Sequence, residues 1–126
     1  MLDGNIATTE RIIACAMEVH KHLGPGLLES IYENAMCIEL QLSGIRWERQ
    51  VTLPLFYKGV RLSDHRVDLI VENQVVVEIK SVERFDSVHV AQVLTYLRAT
   101  SIPVGLLLNF NTAVLRHGIR RVVLNA

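Results

Sequence analysis

The chain has little cysteine, no net charge and no long apolar run, and each lack narrows what it can be. Its two cysteines, Cys15 and Cys37, fall in apolar helical patterns. They read as buried free thiols of a reducing cytoplasm, with a disulfide left open. Thirteen basic and thirteen acidic residues cancel, which counts mildly against a strong nucleic-acid binder, because such proteins usually carry a basic balance. No apolar stretch approaches the roughly 18 residues of a membrane span. The segment Met1–Asn5 has no basic region leading into an apolar run, so no secretory signal is expected. Internal repeats, low-complexity tracts and linkers are absent too. What remains reads as a cytoplasmic protein with one domain over residues 1–126. Half its residues are hydrophobic and 21% are charged, as in a globular chain with a real core.

Charge is unevenly spread. Residues 1–44 hold six acids and two bases, and residues 45–126 hold seven acids and eleven bases. Either a basic face or ordinary solvated surface accounts for the second part. Periodicity changes at the same place. Ile12, Ala16, Val19 and Leu23 recur at helical spacing, with Thr8 or Thr9 as a cap. Gly24-Pro25-Gly26 stops that helix, and Pro25 can begin a second one with the stripe Leu28, Ile31, Ala35, Ile38 and Leu42, closed by Gly44. From Ile45 to Tyr57 the period is two, with Pro54 marking an edge or a bulge. Lys58-Gly59 is a turn, Val60–Leu62 a short return strand, and 66–71 with 75–80 a hairpin around Glu72-Asn73-Gln74. Asp86 caps a predicted helix to about Thr100, apolar at Val90, Ala91, Leu94 and Leu97. The continuous apolar run 103–110 predicts a strand buried on both faces, and 118–124 supplies the last strand. The order ααββ(β)ββαββ implies an α+β or α/β fold with helices around a mixed sheet.

The informative run is Val75-Val76-Val77-Glu78-Ile79-Lys80. Side chains two apart in a strand share a face, so Glu78 and Lys80 project together beside valines that favour burial. Buried charge is costly unless paired or bound to a metal. A three-residue turn at 72–74 pairs Val71 with Val75 and sets Asp68 opposite Glu78; a two-residue turn splits the two acids across the sheet. Two carboxylates a few Å apart repel, and one gains proton affinity unless a cation lies between them. Mg²⁺ or Mn²⁺, hard ions that take oxygen ligands, fit better than zinc. Lys80 then orients or deprotonates a water, or stabilises negative charge on a phosphate.

Other candidates have bland explanations beside the functional one. His89, Gln92 and Tyr96 lie along one helical stripe; they are either rim residues or groups leaning over the site. Glu29 lies in the first turn of the second helix, where the dipole favours an acid; the functional alternative aims it at the same metal. His20, near the end of the first helix, reads as a surface or capping histidine before it reads as a ligand.

Gly26-Leu27-Leu28-Glu29-Ser30-Ile31-Tyr32 spells GxxExxY, and Asp68, Glu78-Ile79-Lys80 and Gln92 to Tyr96 follow it in order. In these motifs the chain resembles the GxxExxY protein family of the PD-(D/E)XK nuclease-like superfamily, from about Ile12 to Val123. The resemblance implies a restriction-endonuclease-like core. It makes Asp68 and Glu78 metal ligands, Lys80 the catalytic lysine, Glu29 the helical acid of the first motif, and Gln92 and Tyr96 the QxxxY pair of RecB-like members. The name-giving proline before the aspartate is replaced by Val67. The leading expectation is a Mg²⁺- or Mn²⁺-dependent nuclease acting on DNA, or alternatively RNA, with Arg46, Arg49, Arg61, Arg66, Arg120 and Arg121 available to the phosphate backbone. The alternative is a catalytically inactive nuclease-fold module that binds nucleic acid or a protein partner. A third reading makes Glu78 and Lys80 a mere ion pair, a weak contribution where such pairs are exposed. One small domain offers little surface for gripping a duplex, so a homodimer, as in junction-resolving enzymes of similar size, is the expected assembly by analogy.

Overall fold

The computed structural model describes residues 2–124, with side chains from Asn5 onward; Met1, Asn125 and Ala126, which the expected 1–126 domain includes, lie outside the described residues. Two helices, α1 (Leu2–Leu23) and α2 (Glu29–Leu42), precede strands β1 (Trp47–Tyr57), β2 (Val60–Val71) and β3 (Val75–Lys80). Helix α3 (Ser87–Thr100) then leads to β4 (Val104–Asn109), a 3-10 turn (Leu115–Gly118) and β5 (Ile119–Val123). The strands form one sheet in chain order. The β3–β4 pair is parallel, joined by the α3 crossover, and the other pairs are antiparallel. This is the mixed sheet flanked by helices that the element order implied.

Each face of the sheet has its own core. Val75, Val77, Ile79, Leu106 and Leu108 pack with α1 and α2. Ile70, Val76, Leu107 and Val122 pack with Val93, Tyr96 and Leu97 of α3. The alternation along β3 therefore sends Glu78 and Lys80 to the α3 side. Gly105 lets α3 sit close to the sheet, since a Cβ there lies 2.6 Å from Val93 Cγ1.

Four expectations are corrected. Helix α1 begins before Thr8, and Thr9 is a buried interior residue donating to the Asn5 carbonyl. The extra turns are held because Asn5 and Thr8 hydrogen-bond Gln74 in the β2–β3 turn. Helix α2 starts at Glu29 rather than Pro25. The 24–26 bend, with Gly24 and Gly26 left-handed, is tied by the Tyr32 hydroxyl, which donates to Gly24 O at 2.6 Å. That tie turns Tyr32, Met36 and Leu40 to the core and leaves the stripe Leu28, Ile31, Ile38 and Leu42 outside. Lastly, Val60–Leu62 and Arg66–Val71 are one strand, because β2 pairs with β1 along its whole length. As Pro54 suggested, β1 is an edge strand, with a register shift at Leu55/Phe56.

Candidate active site

The β2–β3 turn decides whether the two acids meet. Glu72 and Asn73 both take positive φ, 52° and 54°, and Gln74 N donates to Val71 O. Val71 then pairs with Val75, Ile70 with Val76 and Leu69 with Val77. Asp68 and Glu78 are the next positions in that register. There the ladder gives way to the side chains: Asp68 N donates to Glu78 Oε2 at 2.8 Å, and Ile79 N donates to Asp68 Oδ2 at 2.8 Å. The carboxylates thus satisfy each other's strands, and that fixes their orientation.

Glu78 is only 3% exposed. Burial, and then the charge of Asp68, push its carboxyl up to about 8, against the pull of the Asp68 N–H and of Lys80. Tyr96, buried beneath α3, is pushed up to about 12 by burial and then by the charges of Glu78 and Asp68, with Gln92 acting the other way. Tyr96 is a core residue here, whereas Ala91, expected in the packing face, is exposed. Lys80 is half-buried and makes no salt bridge among the described residues.

The remaining candidates are placed apart. Glu29 Oε2 accepts from Ser81 N at 3.0 Å, and Ser81 Oγ donates to Leu27 O at 2.6 Å. Glu29 therefore holds the chain just past Lys80. Among the described residues no three Asp, Glu, His or Cys side chains gather closely enough to share an ion, so the structure brings together Asp68 and Glu78 without Glu29. His89 accepts from Asp86 N as part of the α3 capping box, and His20 bonds Thr112 O at 2.8 Å. Both histidines have structural duties. Of the basic residues, Arg46 pairs with Glu72, Arg49 with Glu33 and Arg61 with Asp64. Arg120 lies over the Phe85 ring, and Arg66 and Arg121 are exposed.

Two residues beside the site escaped the sequence reading. Gln50 of β1 has a left-handed φ of 52°, an uncommon conformation for a strand residue that stores strain. Its Nε2 donates to Glu33 Oε1 at 2.8 Å and to Asp68 Oδ1 at 3.3 Å. Asn109 pins the segment after Lys80, bonding Val82 N and Val82 O at 3.0 and 2.8 Å. No sequence signal marks Gln50. Glu33 had one: it falls among Tyr32, Met36, Cys37 and Leu40, where an acid must find a partner.

The donor set suits a hard cation. Two carboxylates on one face, one of them buried and short of positive charge, match the way Mg²⁺ is held by one or two acids with substrate phosphate and water completing its shell. A family model described as the PD-(D/E)XK nuclease superfamily matches residues 7–122. No curated protein and no solved structure matches the chain.

Proposed function

The chain belongs to the PD-(D/E)XK nuclease superfamily, and from that premise we propose that it is a divalent-metal-dependent nuclease that hydrolyses phosphodiester bonds of DNA, with RNA as the other candidate substrate. The observation that carries this reading is the reciprocal Asp68–Glu78 pair, with Lys80 two residues on along the same face. Asp68 and Glu78 are the residues that would hold Mg²⁺ or Mn²⁺. When bound, such an ion supplies Lewis acidity toward the phosphate and lowers the proton affinity of water. Lys80 Nζ places positive charge where charge builds on the phosphoryl oxygens. Glu29 acts as a positioning residue, through Ser81, on the backbone next to Lys80. Tyr96 and Gln92 form the wall on the α3 side, and Arg66, Arg120 and Arg121 are exposed bases for the substrate backbone. The GxxExxY segment contributes to this scheme through Glu29 and through Tyr32, which ties its loop to the helix.

The test is incubation of the purified chain with plasmid DNA, single-stranded DNA and RNA in Mg²⁺ or Mn²⁺. Cleavage that disappears in Lys80→Ala and in EDTA is expected. Cleavage that survives both belongs to a contaminant, and no cleavage of any substrate defeats the proposal. The alternative is a catalytically inactive module of the same fold that binds nucleic acid or a protein partner without turnover. Calorimetry separates the two: a nuclease takes up Mn²⁺ at Asp68 and Glu78, and a module that has lost the site does not.

A further inference from the structure

One part of the sheet serves neither core. Strands β1 and β2 pair from Trp47 with Val71 out to Tyr57 with Val60, but β3 joins β2 only at Leu69, Ile70 and Val71. From Val67 outward the chain is a two-stranded arm, closed by the turn at Lys58-Gly59. An isolated hairpin has little stability of its own in water. The inner half of this one is held by α3, because Val51, Leu53 and Val67 pack with the core around Tyr96 and Leu97. The outer half is bare: Phe56 and Tyr57 are each 60% exposed, Val60 63% and Leu62 66%. A single exposed leucine needs no explanation, but an apolar tip with two aromatic rings does.

The charges around the tip are mostly of one sign. The arm, residues 51–67, carries Lys58, Arg61 and Arg66 against the single acid Asp64. Asp64 occupies Arg61, and Lys58 and Arg66 have no acidic partner among the described residues. An open groove lies between β1 and α3, bordered by Leu53, Leu55 and Phe56 on one side and by Thr95, Arg98 and Ala99 on the other. Arg98 is its one charged lining residue. Register fixes what stands beside Phe56. Thr52 pairs with Arg66, Pro54 with Asp64 and Phe56 with Arg61, so Phe56 shares a face with Arg61 and Arg66. Tyr57 is on the other face, with Lys58 Nζ 5.4 Å from its ring centre.

We propose that this arm holds an unpaired stretch of nucleic acid, with a base stacked on Phe56 and the neighbouring phosphates met by Lys58, Arg66 and Arg98. Aromatic rings beside basic side chains form the platform on which single strands bind with little regard to sequence. A duplex hides the faces of its bases from such rings. A ribbon that reads base edges in a groove needs polar side chains, where this tip carries Phe56, Val60 and Leu62. A lipid surface also takes an apolar, basic tip, and what favours nucleic acid is the strand behind it. Strand β2 leads from Arg61 at the tip past Arg66 to Asp68, roughly 23 Å of extended chain. A polymer held at the tip is led to the two acids; a bilayer or a folded partner gains nothing from that path. The occupant rests on the nuclease reading and narrows it to substrates with single-stranded regions.

Fluorescence anisotropy in EDTA, which measures binding apart from turnover, tests it with a labelled oligothymidylate and a blunt duplex of equal length. The single strand is expected to bind about tenfold more tightly. Phe56→Leu, which keeps an apolar side chain and loses the ring, should weaken that binding about fivefold or more, and Phe56→Trp should retain it. Lys58→Ala should lower the salt slope by about one. The melts of these variants should match wild type, because both side chains are exposed. Phe56→Leu that binds the single strand as wild type does, equal affinity for the duplex, or binding to phosphatidylserine vesicles that oligothymidylate does not displace, overturns the inference. Cleavage in Mn²⁺ is read separately. A chain that binds in this way and cuts nothing defeats the nuclease reading and leaves the arm a single-strand site. A chain that cuts, while Phe56→Leu changes neither binding nor cutting, defeats the inference alone.

Discussion

Glu33 and Glu78 are both buried acids, 7% and 3% exposed, yet the fold treats them in opposite ways. Glu33 receives Arg49 Nε at 2.7 Å and Gln50 Nε2 at 2.8 Å, so the chain supplies its positive partner. Glu78 receives one backbone N–H and faces a second acid, Asp68; burial first, and then the charge of Asp68, raise its proton affinity. Had stability alone shaped β3, an apolar residue at position 78 would continue the valine run. A buried acid with no ion-pair partner beside a second acid is the kind of feature the proposed metal site would use. The comparison separates structural electrostatics from a candidate site using two residues of the same type.

The largest expected effect is on stability against pH. The Glu78 carboxyl, ordinarily near 4.5, titrates near 8 in the folded chain. Between those values the native state holds a proton that the unfolded chain has released. The contribution of Glu78 to stability is therefore full below about pH 4.5 and falls as pH rises toward 8, by about 1.4 kcal/mol per unit. Glu72 and Asp86, whose carboxyls are lowered by backbone hydrogen bonds, act in the opposite direction and below this window. Urea denaturation in EDTA from pH 5 to 8 should show the slope, and Glu78→Gln should flatten it. A flat wild-type curve means that Glu78 is not the uncompensated acid described here.

Adding the missing cation should reverse part of that loss. Mn²⁺ at a hundred times its dissociation constant raises stability by about 2.7 kcal/mol. The effect should be strong at pH 8, where the proton no longer competes, and weak at pH 5. Glu78→Gln should abolish it. Glu33→Gln serves as the contrast. It keeps shape but removes charge opposite Arg49, whose side chain is 41% exposed, so a cost of about 1–2 kcal/mol is expected. Its response to Mn²⁺ should persist. If Glu33→Gln removed the Mn²⁺ response as fully as Glu78→Gln, the two acids would belong to one site and the contrast would fail.

The sequence made the Glu78 half of this contrast legible and hid the Glu33 half. Period-two alternation reduced the question to turn length, and the three-residue turn at 72–74, one of the two lengths weighed, places Asp68 against Glu78, because strand register is a local property. The helical acids were harder. Leu28, Ile31, Ala35, Ile38 and Leu42 make the cleaner apolar stripe on α2, so reading periodicity alone faces the helix the wrong way and leaves Glu33 unremarked. What turns the helix is the bond from Tyr32 to Gly24 and the stacking of Tyr32 on Phe110 at 4.6 Å. The second of these is a contact across most of the chain that no local pattern encodes. The position of Glu29 is hidden for the same reason, since its partner Ser81 lies 52 residues away.

The smallest effect lies where the two acids come nearest to communicating. Gln50 reaches both Glu33 and Asp68, and does so from a left-handed backbone. In an ordinary strand, glycine is less stable than alanine, because it loses more entropy and packs nothing. At position 50 the order should invert. Gln50→Ala loses both hydrogen bonds and keeps the strain, whereas Gln50→Gly loses the same bonds and releases the strain, a difference of about 1 kcal/mol in favour of glycine. Denaturation midpoints of the two variants measure it. Both should also weaken Mn²⁺ binding slightly and equally, since each frees the Asp68 carboxylate from the amide that orients it. If alanine proved the more stable, Gln50 would be an ordinary strand residue, and its bridge between the compensated acid and the uncompensated pair would be incidental.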